Sequence, residues 1–153
     1  MNKSPIEYLA QAESAIGRVG GTLNICTGCL HWKDPSICAL GTDCYAYRMV
    51  TQGRLKGHPS YPYGFEPTFN SDRVRKIGGK PKLIFLNDMS DVGGDWDWNG
   101  IYPGTLYTSE EIAKAMARFA LLNPQHIILL LTKNPSWYRL AQWPSNVWVF
   151  SEQ

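Results

Sequence analysis

Hydrophobic and polar positions fall into a regular alternation of elements after Pro81. "KLIFLND" is a continuous apolar run bounded by Pro81 and by polar residues, as expected of a strand buried on both faces of a parallel sheet. "HIILLLTKN" reads as a second such strand, and "NVWVF" near the end of the chain as a third buried one. Between the first two, Thr108-x-x-Glu111 predicts a capped helix. Its apolar positions Ile112, Ala115, Met116, Phe119 and Ala120 follow the i, i+3, i+4, i+7, i+8 stripe and stop before Asn123-Pro124. "PSWYRLAQ" predicts a short helix opened by proline, and "DVGGDWDWNGIYPG" a loop rich in turn formers. Strand, helix, strand, helix, strand with short connections gives βαβ units, hence an α/β fold with a parallel sheet.

The first half of the chain is less regular. Ser4-Pro5-Ile6-Glu7 has the form of a capping box and predicts a helix from Pro5 to about Ile16, broken by Gly17, Gly20 and Gly21. Residues 1–21 therefore read as an N-terminal helix with a glycine-rich lead-in, and residues 22–153 as one domain. "TLNIC" is a brief strand candidate, Tyr45 to Leu55 can be helical, and "GHPSYPYGFEPTFN" is a long loop or excursion. Length and composition agree with one globular domain: 153 residues, 44% apolar and 18% charged. The formal charge of +2 is small and its basic residues are scattered, so electrostatics gives no argument for a nucleic-acid or membrane partner. "MNKSPIEYLAQAESAIG" lacks the apolar core and cleavage site of a signal peptide, and the longest aliphatic run, Ile127 to Leu131, is too short to span a bilayer. The expected location is cytoplasmic.

Chemistry concentrates at three strand ends. All four cysteines, Cys26, Cys29, Cys38 and Cys44, follow "TLNI"; the string Asn87-Asp88-Met89-Ser90-Asp91 follows "LIFL"; Thr132-Lys133-Asn134 follows "IILLL". In parallel α/β folds reactive groups occupy the loops beyond the carboxyl ends of strands, so these three groups should share one face. In a reducing compartment clustered cysteines are more often metal ligands or redox groups than disulfides. Iron–sulfur clusters and zinc both take thiolate ligands. Four thiols would complete a tetrahedral zinc site, although the spacing Cys38-x5-Cys44 is looser than a zinc knuckle. Three thiols would leave one iron of a four-iron cluster open.

"TGC" at 27–29, Cys38 and "CYA" at 44–46 resemble the three-cysteine signature of a bacterial and phage family related to the radical S-adenosylmethionine (SAM) enzymes. The resemblance continues in order through "YPYGFEPTFNSDRV", "KPKLIFLNDMSDV", "PQHIILLLTKNPSWY" and "WPSNVWV", over roughly residues 22–150. It implies a partial (β/α) barrel of radical SAM type in which Cys29, Cys38 and Cys44 hold a 4Fe-4S cluster. SAM would chelate the open iron and be cleaved reductively to a radical that abstracts hydrogen from a substrate. By the same resemblance Asp88, Ser90 and Asp91 lie where the superfamily contacts the SAM amino group. Tyr45 would lean on the adenine or the cluster, and Thr132 and Lys133 would meet the SAM carboxylate or the substrate. Five residues separate Cys38 from Cys44 where relatives keep two. The chain also supplies fewer strands than a full barrel, which implies a truncated or half barrel completed by a second copy or a protein partner, with Val147 to Phe150 as its open edge. The family's phage association makes a nucleic acid or nucleotide an expected substrate class. The alternative functions are a non-enzymatic zinc-stabilised module using all four cysteines, and a partial homologue acting through a protein partner.

Several residues have plainer readings. Cys26, at the end of an apolar strand, is expected in the core. His31, between ligand candidates, reads as a solvated loop histidine, with replacement of a thiol at zinc as the alternative. His58 and His126 receive no role. Asp95 and Asp97, interleaved with Trp96 and Trp98, read as a ligand-binding loop or as a solvated turn whose tryptophans fold onto the rim. Tyr61, Tyr63, Phe65 and Phe69 read as a hydrophobic minicore under a loop, in preference to a base-stacking surface.

Overall fold

The computed structural model of the chain describes residues 20–102 and 104–151; the helix expected over Pro5 to Ile16 lies outside them. The fold is a mixed α/β arrangement organised on a four-stranded parallel sheet. Its central strand is β4 (Leu83–Leu86), whose four side chains are all buried. A strand without a polar face must be covered on both sides and paired at both edges. On one edge it takes β1 (Gly20–Leu23), with Gly20 opposite Leu83 and Leu23 opposite Leu86. On the other it takes β7 (Ile127–Thr132), with Leu83 opposite Ile127 and Phe85 opposite Leu129. β8 (Val147–Ser151) then pairs with β7, giving the order β1-β4-β7-β8.

Side-chain alternation divides the sheet into two faces. Ile84, Leu86, Ile128 and Leu130 pack in one cluster with Ile112, Met116 and Phe119 from the long helix. Leu83, Phe85 and Leu129 form a second cluster with Ile127 and Leu131. Each such leucine or isoleucine, fully removed from water, contributes about 1.5–3 kcal/mol.

The helices follow the expected signals closely. A short helix, α1 (Tyr45–Thr51), follows Cys44, and α2 (Ser109–Leu122) carries the capping box read from Thr108 and Glu111. Thr108 Oγ1 accepts from the Glu111 N–H at 3.3 Å, and Glu111 Oε2 accepts from the Thr108 N–H at 2.7 Å. Ile112, Met116, Phe119 and Ala120 on its stripe are wholly buried. "PSWYRL" is a 3-10 helix over Pro135–Leu140 that drives Trp137 into the same core.

Three expectations are corrected. "TLNIC" is two strands: β1 stops at Leu23, and Cys26–Thr27 forms β2 in another sheet. The break exists because Asn87, just past β4, inserts its side chain there. Second, β8 is an edge strand and not a buried one; Trp148, Val149 and Phe150 are 38%, 45% and 51% exposed, because only β7 pairs with it among the described residues. Third, each of the two loop segments carries a strand, β3 (Thr68–Phe69) and β5 (Trp98–Gly100), and with β2 and β6 (Leu106–Tyr107) these form a second sheet in the order β2-β3-β5-β6. Phe69 and Trp98 anchor it in the main core. Ladders of two or three residues are too short to show a period, which is why the loops hid them.

Asn87 joins the two sheets. It is 2% exposed and holds a left-handed backbone at φ 67°, a conformation asparagine tolerates better than most residues. Its N–H donates to Leu23 O at 2.8 Å, and its Oδ1 accepts from the N–H groups of Ile25 at 2.9 Å and Cys26 at 2.8 Å. Asn87→Ala and Asn87→Gly should both destabilise the fold by about 1–3 kcal/mol through the orphaned N–H groups. In urea unfolding the alanine variant should be worse by about 1 kcal/mol, because only glycine escapes the left-handed strain.

Candidate metal and cofactor site

The ends of β1, β4 and β7 meet as the sequence pattern anticipates. Asn24 Nδ2 donates to Asp88 Oδ1 at 2.8 Å, and Asn24 Oδ1 accepts from the Met89 N–H at 3.1 Å. Gly28 continues the stitch: its N–H donates to Met89 O at 3.1 Å, and its carbonyl accepts from Ser90 Oγ at 2.6 Å. Gly28 has φ 81°, and a Cβ there would collide with the backbone carbonyls of Phe65 and Glu66. The next residue, Cys29, donates its N–H to Phe65 O at 3.1 Å. The glycine of "TGC" is thus a steric requirement that lets the first thiol of the trio be presented against the Phe65 loop.

Asp91 closes the rim from the other side. Its Oδ1 accepts from Thr132 Oγ1 at 2.5 Å and from the Gly93 N–H at 3.1 Å, and its Oδ2 accepts from the Lys133 N–H at 3.0 Å. His31 Nε2 stands 3.0 Å from the same Oδ2, out of line for a well-directed hydrogen bond. Burial pushes the Asp91 carboxyl up, but the His31 ring beside it and the bonds from Thr132 and the Lys133 N–H together outweigh burial and hold it below its ordinary value. Asp88 goes the other way: burial raises it, against the smaller lowering by Asn24 and a backbone N–H.

Above this rim lies a cavity of about 220 Å³. Cys29, Cys38 and Cys44 line it together with Asp88, Ser90, Asp91, Thr132, Lys133 and His31; Leu40, Ala46, Phe65, Phe85, Asn87 and Leu131 complete the wall. The shared face expected of the three strand ends is therefore present, with every expected site residue except Tyr45 on one cavity. Tyr45 is 65% exposed and is not among the lining residues, because α1 turns it to the outer surface. Cys26 is also apart: it is 0% exposed, packed with Ile25 and Phe69 in the core, as its apolar setting predicted.

The cavity is small for a drug-sized ligand, for which about 300–1,000 Å³ is usual. All four cysteines are free. Burial is the main cause pushing Cys29 up to about 12, with Asp91 and Cys44 adding to it and the His31 N–H opposing. At neutral pH this thiol stays protonated and is a poor nucleophile. Among the described residues no three His, Cys, Asp or Glu side chains stand close enough together to hold a metal ion. The three thiols therefore line one cavity without forming a metal-holding cluster. The segment between Cys29 and Cys44 is a run of single turns. Its backbone hydrogen bonds are local, as in Asp34 N–H to His31 O, Cys38 N–H to Asp34 O and Cys44 N–H to Gly41 O.

His31 is the residue that sequence reasoning misplaced. It is 9% exposed rather than solvated, because Trp96 packs edge-on against its ring at 4.9 Å and Asp91 faces its Nε2. No local signal announces this, since both partners lie sixty or more positions away in sequence. Asn24 and Asn87 were missed as positioning residues for the same reason. The other readings resolve simply. Asp95 and Asp97 are exposed while Trp98 is buried, so "DWDW" is a turn with its tryptophans folded inward. Tyr61 and Phe65 join Ala46, Val50 and Met89 in a minicore, whereas Phe69 belongs to the main core. His58 is exposed, and His126, 0% exposed, accepts from the Lys82 N–H at 3.1 Å as a buried clamp.

No protein-family model, curated protein or solved structure matches the chain. No helix among the described residues is long and apolar enough to cross a membrane.

Because Asp91 is held below its ordinary value of 3.8, its contribution to stability is complete above that pH and is lost as pH falls through the lowered folded-state value. Asp91→Asn should cost about 1–3 kcal/mol near neutrality. The gap between wild type and variant in urea unfolding should stay constant down to about pH 4 and narrow below it. Gly28→Ala should destabilise by at least about 1–3 kcal/mol, through the left-handed backbone alone, with the carbonyl clash added.

Proposed function

We propose that the chain is a radical-SAM-like iron–sulfur protein, in which Cys29, Cys38 and Cys44 hold a 4Fe-4S cluster and the rim residues of β4 and β7 receive SAM. The observation that carries this reading is the partition of the thiols: three line one cavity at the carboxyl ends of the parallel strands, and the fourth, Cys26, is sequestered in the core. A four-thiol zinc site would have to pull Cys26 out of β2. The reading extends to the fold, as part of a (β/α) barrel of the radical SAM type. The parallel strands follow one another in chain order without the reversal that marks doubly wound sheets, which is how a barrel wall grows.

A cluster bound by three thiolates supplies one-electron reduction of SAM, and the chain's own residues supply placement. Asp88 is the acidic group best suited to the SAM amino group, since it lines the cavity and has fewer protein donors than Asp91. Asp91 is saturated with protein donors and acts by fixing Thr132 and the Lys133 backbone. Phe65, Phe85 and Leu131 give the cavity an apolar wall beside the thiols. The cavity suits a compact inorganic group, so SAM would extend outward past the rim.

Anaerobic reconstitution with iron and sulfide, followed by metal analysis and electron paramagnetic resonance of the reduced protein, tests this. The expected outcome is about four irons per chain and a spectrum altered by SAM. Cys29→Ala, Cys38→Ala and Cys44→Ala should each lose the iron, while Cys26→Ala retains it. One tightly bound zinc, with no cluster and no response to SAM, would sink the proposal.

A further inference from the structure

Charge is segregated in the fold although it is scattered along the chain. Residues 73–87 and 112–151, which supply β4, most of α2, β7 and β8, carry nine Lys and Arg and no Asp or Glu, so the 13 acidic residues all fall elsewhere in the sequence. Four of the nine, Arg75, Lys76, Lys80 and Lys82, lie within eight positions on the loop that enters β4. That loop is at the amino ends of the parallel strands, at the opposite end of the sheet from the thiol-lined cavity. Arg75, Lys76 and Lys80 are exposed, Lys82 is partly so, and none of the four forms an ion pair among the described residues. Arg73, by contrast, is committed to Asn24 O and Ser60 Oγ, and the adjoining acid, Asp72, accepts from the Tyr102 hydroxyl at 2.7 Å.

Two wholly buried polar side chains hold the loop in shape. Asn123 Oδ1 accepts from the Ile77 N–H at 2.9 Å, and Asn123 Nδ2 donates to Arg75 O at 2.9 Å. His126 Nδ1 accepts from the Lys82 N–H at 3.1 Å, which leaves the ring proton on Nε2, 2.9 Å from Gly78 O. Ile77 packs against the main core, so the one aliphatic side chain of residues 75–82 faces inward. At the tip Gly78 and Gly79 have φ 62° and 81°, with open space where a Cβ would stand, and their N–H groups meet no acceptor among the described residues. The backbone between the four cations is therefore fixed, and its tip can be approached closely.

We propose that this loop is a docking surface for the phosphate backbone of double-stranded DNA, separate from the cavity and independent of what the cavity binds. A row of cations on a rigid backbone matches an evenly charged polymer, and Lys, Arg and backbone N–H groups are the donors that phosphate oxygens take. Single strands are gripped by stacking on aromatic rings, and the one aromatic residue of 73–87, Phe85, is buried in the sheet. Duplex RNA is recognised largely through its 2′-hydroxyls, which hydroxyl and amide side chains match, and residues 75–82 have none. A lipid surface is held by basic residues together with an inserted apolar face, and Ile77 points the other way. Contacts to phosphate alone carry no sequence preference.

Fluorescence anisotropy of a labelled mixed-sequence DNA duplex, titrated with the full chain over a series of salt concentrations, tests the assignment. With four phosphates neutralised, log K should fall against log salt with a slope of about −3 to −4, and Lys76→Gln or Lys80→Gln alone should reduce that slope by about 1. Arg75→Gln combined with Lys76→Gln should weaken binding at low salt by about tenfold or more, equally for unrelated sequences. The control is Arg54→Gln combined with Lys56→Gln, which removes the same net charge on either side of Leu55, whose side chain packs with Met89 at the cavity end. It should leave affinity and slope nearly unchanged. Should the Arg75 and Lys76 pair lose its native circular dichroism, the two single variants decide. No binding of the duplex at low salt, equal losses in the pair and in the control, or tighter binding of single-stranded DNA, duplex RNA or anionic vesicles would each overturn the inference. The readout does not involve the cysteines, so it stands or falls apart from the iron–sulfur reading.

Discussion

Everything at the rim depends on how the chain leaves β4. A strand whose side chains are all buried ends in a backbone that still needs hydrogen-bond partners, and there is no helix directly after it to supply them. The molecule meets that need with side-chain amides and carboxylates. Asn87 takes two N–H groups from the β1–β2 connection, Asn24 answers from the opposite side, and Asp91 gathers donors from its own turn and from the end of β7. Three strand ends are locked together within a few residues. The cavity exists because these locks hold the loops apart while the short second sheet supports them from behind.

The electrostatic character of the cavity follows from the same arrangement. Asp91 can remain ionised in a buried position because its donors replace water, whereas Asp88, with fewer donors, is pushed toward its neutral form. Two carboxyls three positions apart therefore have opposed tendencies. The thiol of Cys29 sits in a field that disfavours a second negative charge. The cavity thus holds one ionised carboxylate, and the groups beside it are biased toward their neutral forms.

Much of this was legible in the chain. The capping box at Thr108, the stripe through Met116 and Phe119, and the apolar runs of β4 and β7 are local patterns, and local patterns survive folding intact. The grouping of Cys29, Cys38, Cys44, Asp88 and Thr132 was legible too, because strand ends in a parallel sheet share a side regardless of detail. What escaped depends on distant partners. Burial of His31 is decided by Trp96 and Asp91, the break in "TLNIC" by Asn87, and the outward turn of Tyr45 by which face of α1 meets Phe65 and Met89. The apolar run "NVWVF" reads as buried because it does not say whether a neighbour lies beyond it; the small number of strands is what pointed to Val147 to Phe150 as an open edge.

The two walls of the cavity differ in kind. One is the parallel sheet, cross-linked by long-range hydrogen bonds; the other is a succession of single turns from Leu30 to Cys44 whose backbone bonds reach only a few residues along the chain. The two walls meet through side chains: His31, on the turn side, packs on Trp96 and faces Asp91, whose carboxylate holds Thr132 and the Lys133 N–H at the end of β7. A substitution that repositions the turns is therefore felt at the end of the sheet through one imidazole, even though the backbone bonds of the turns never reach it.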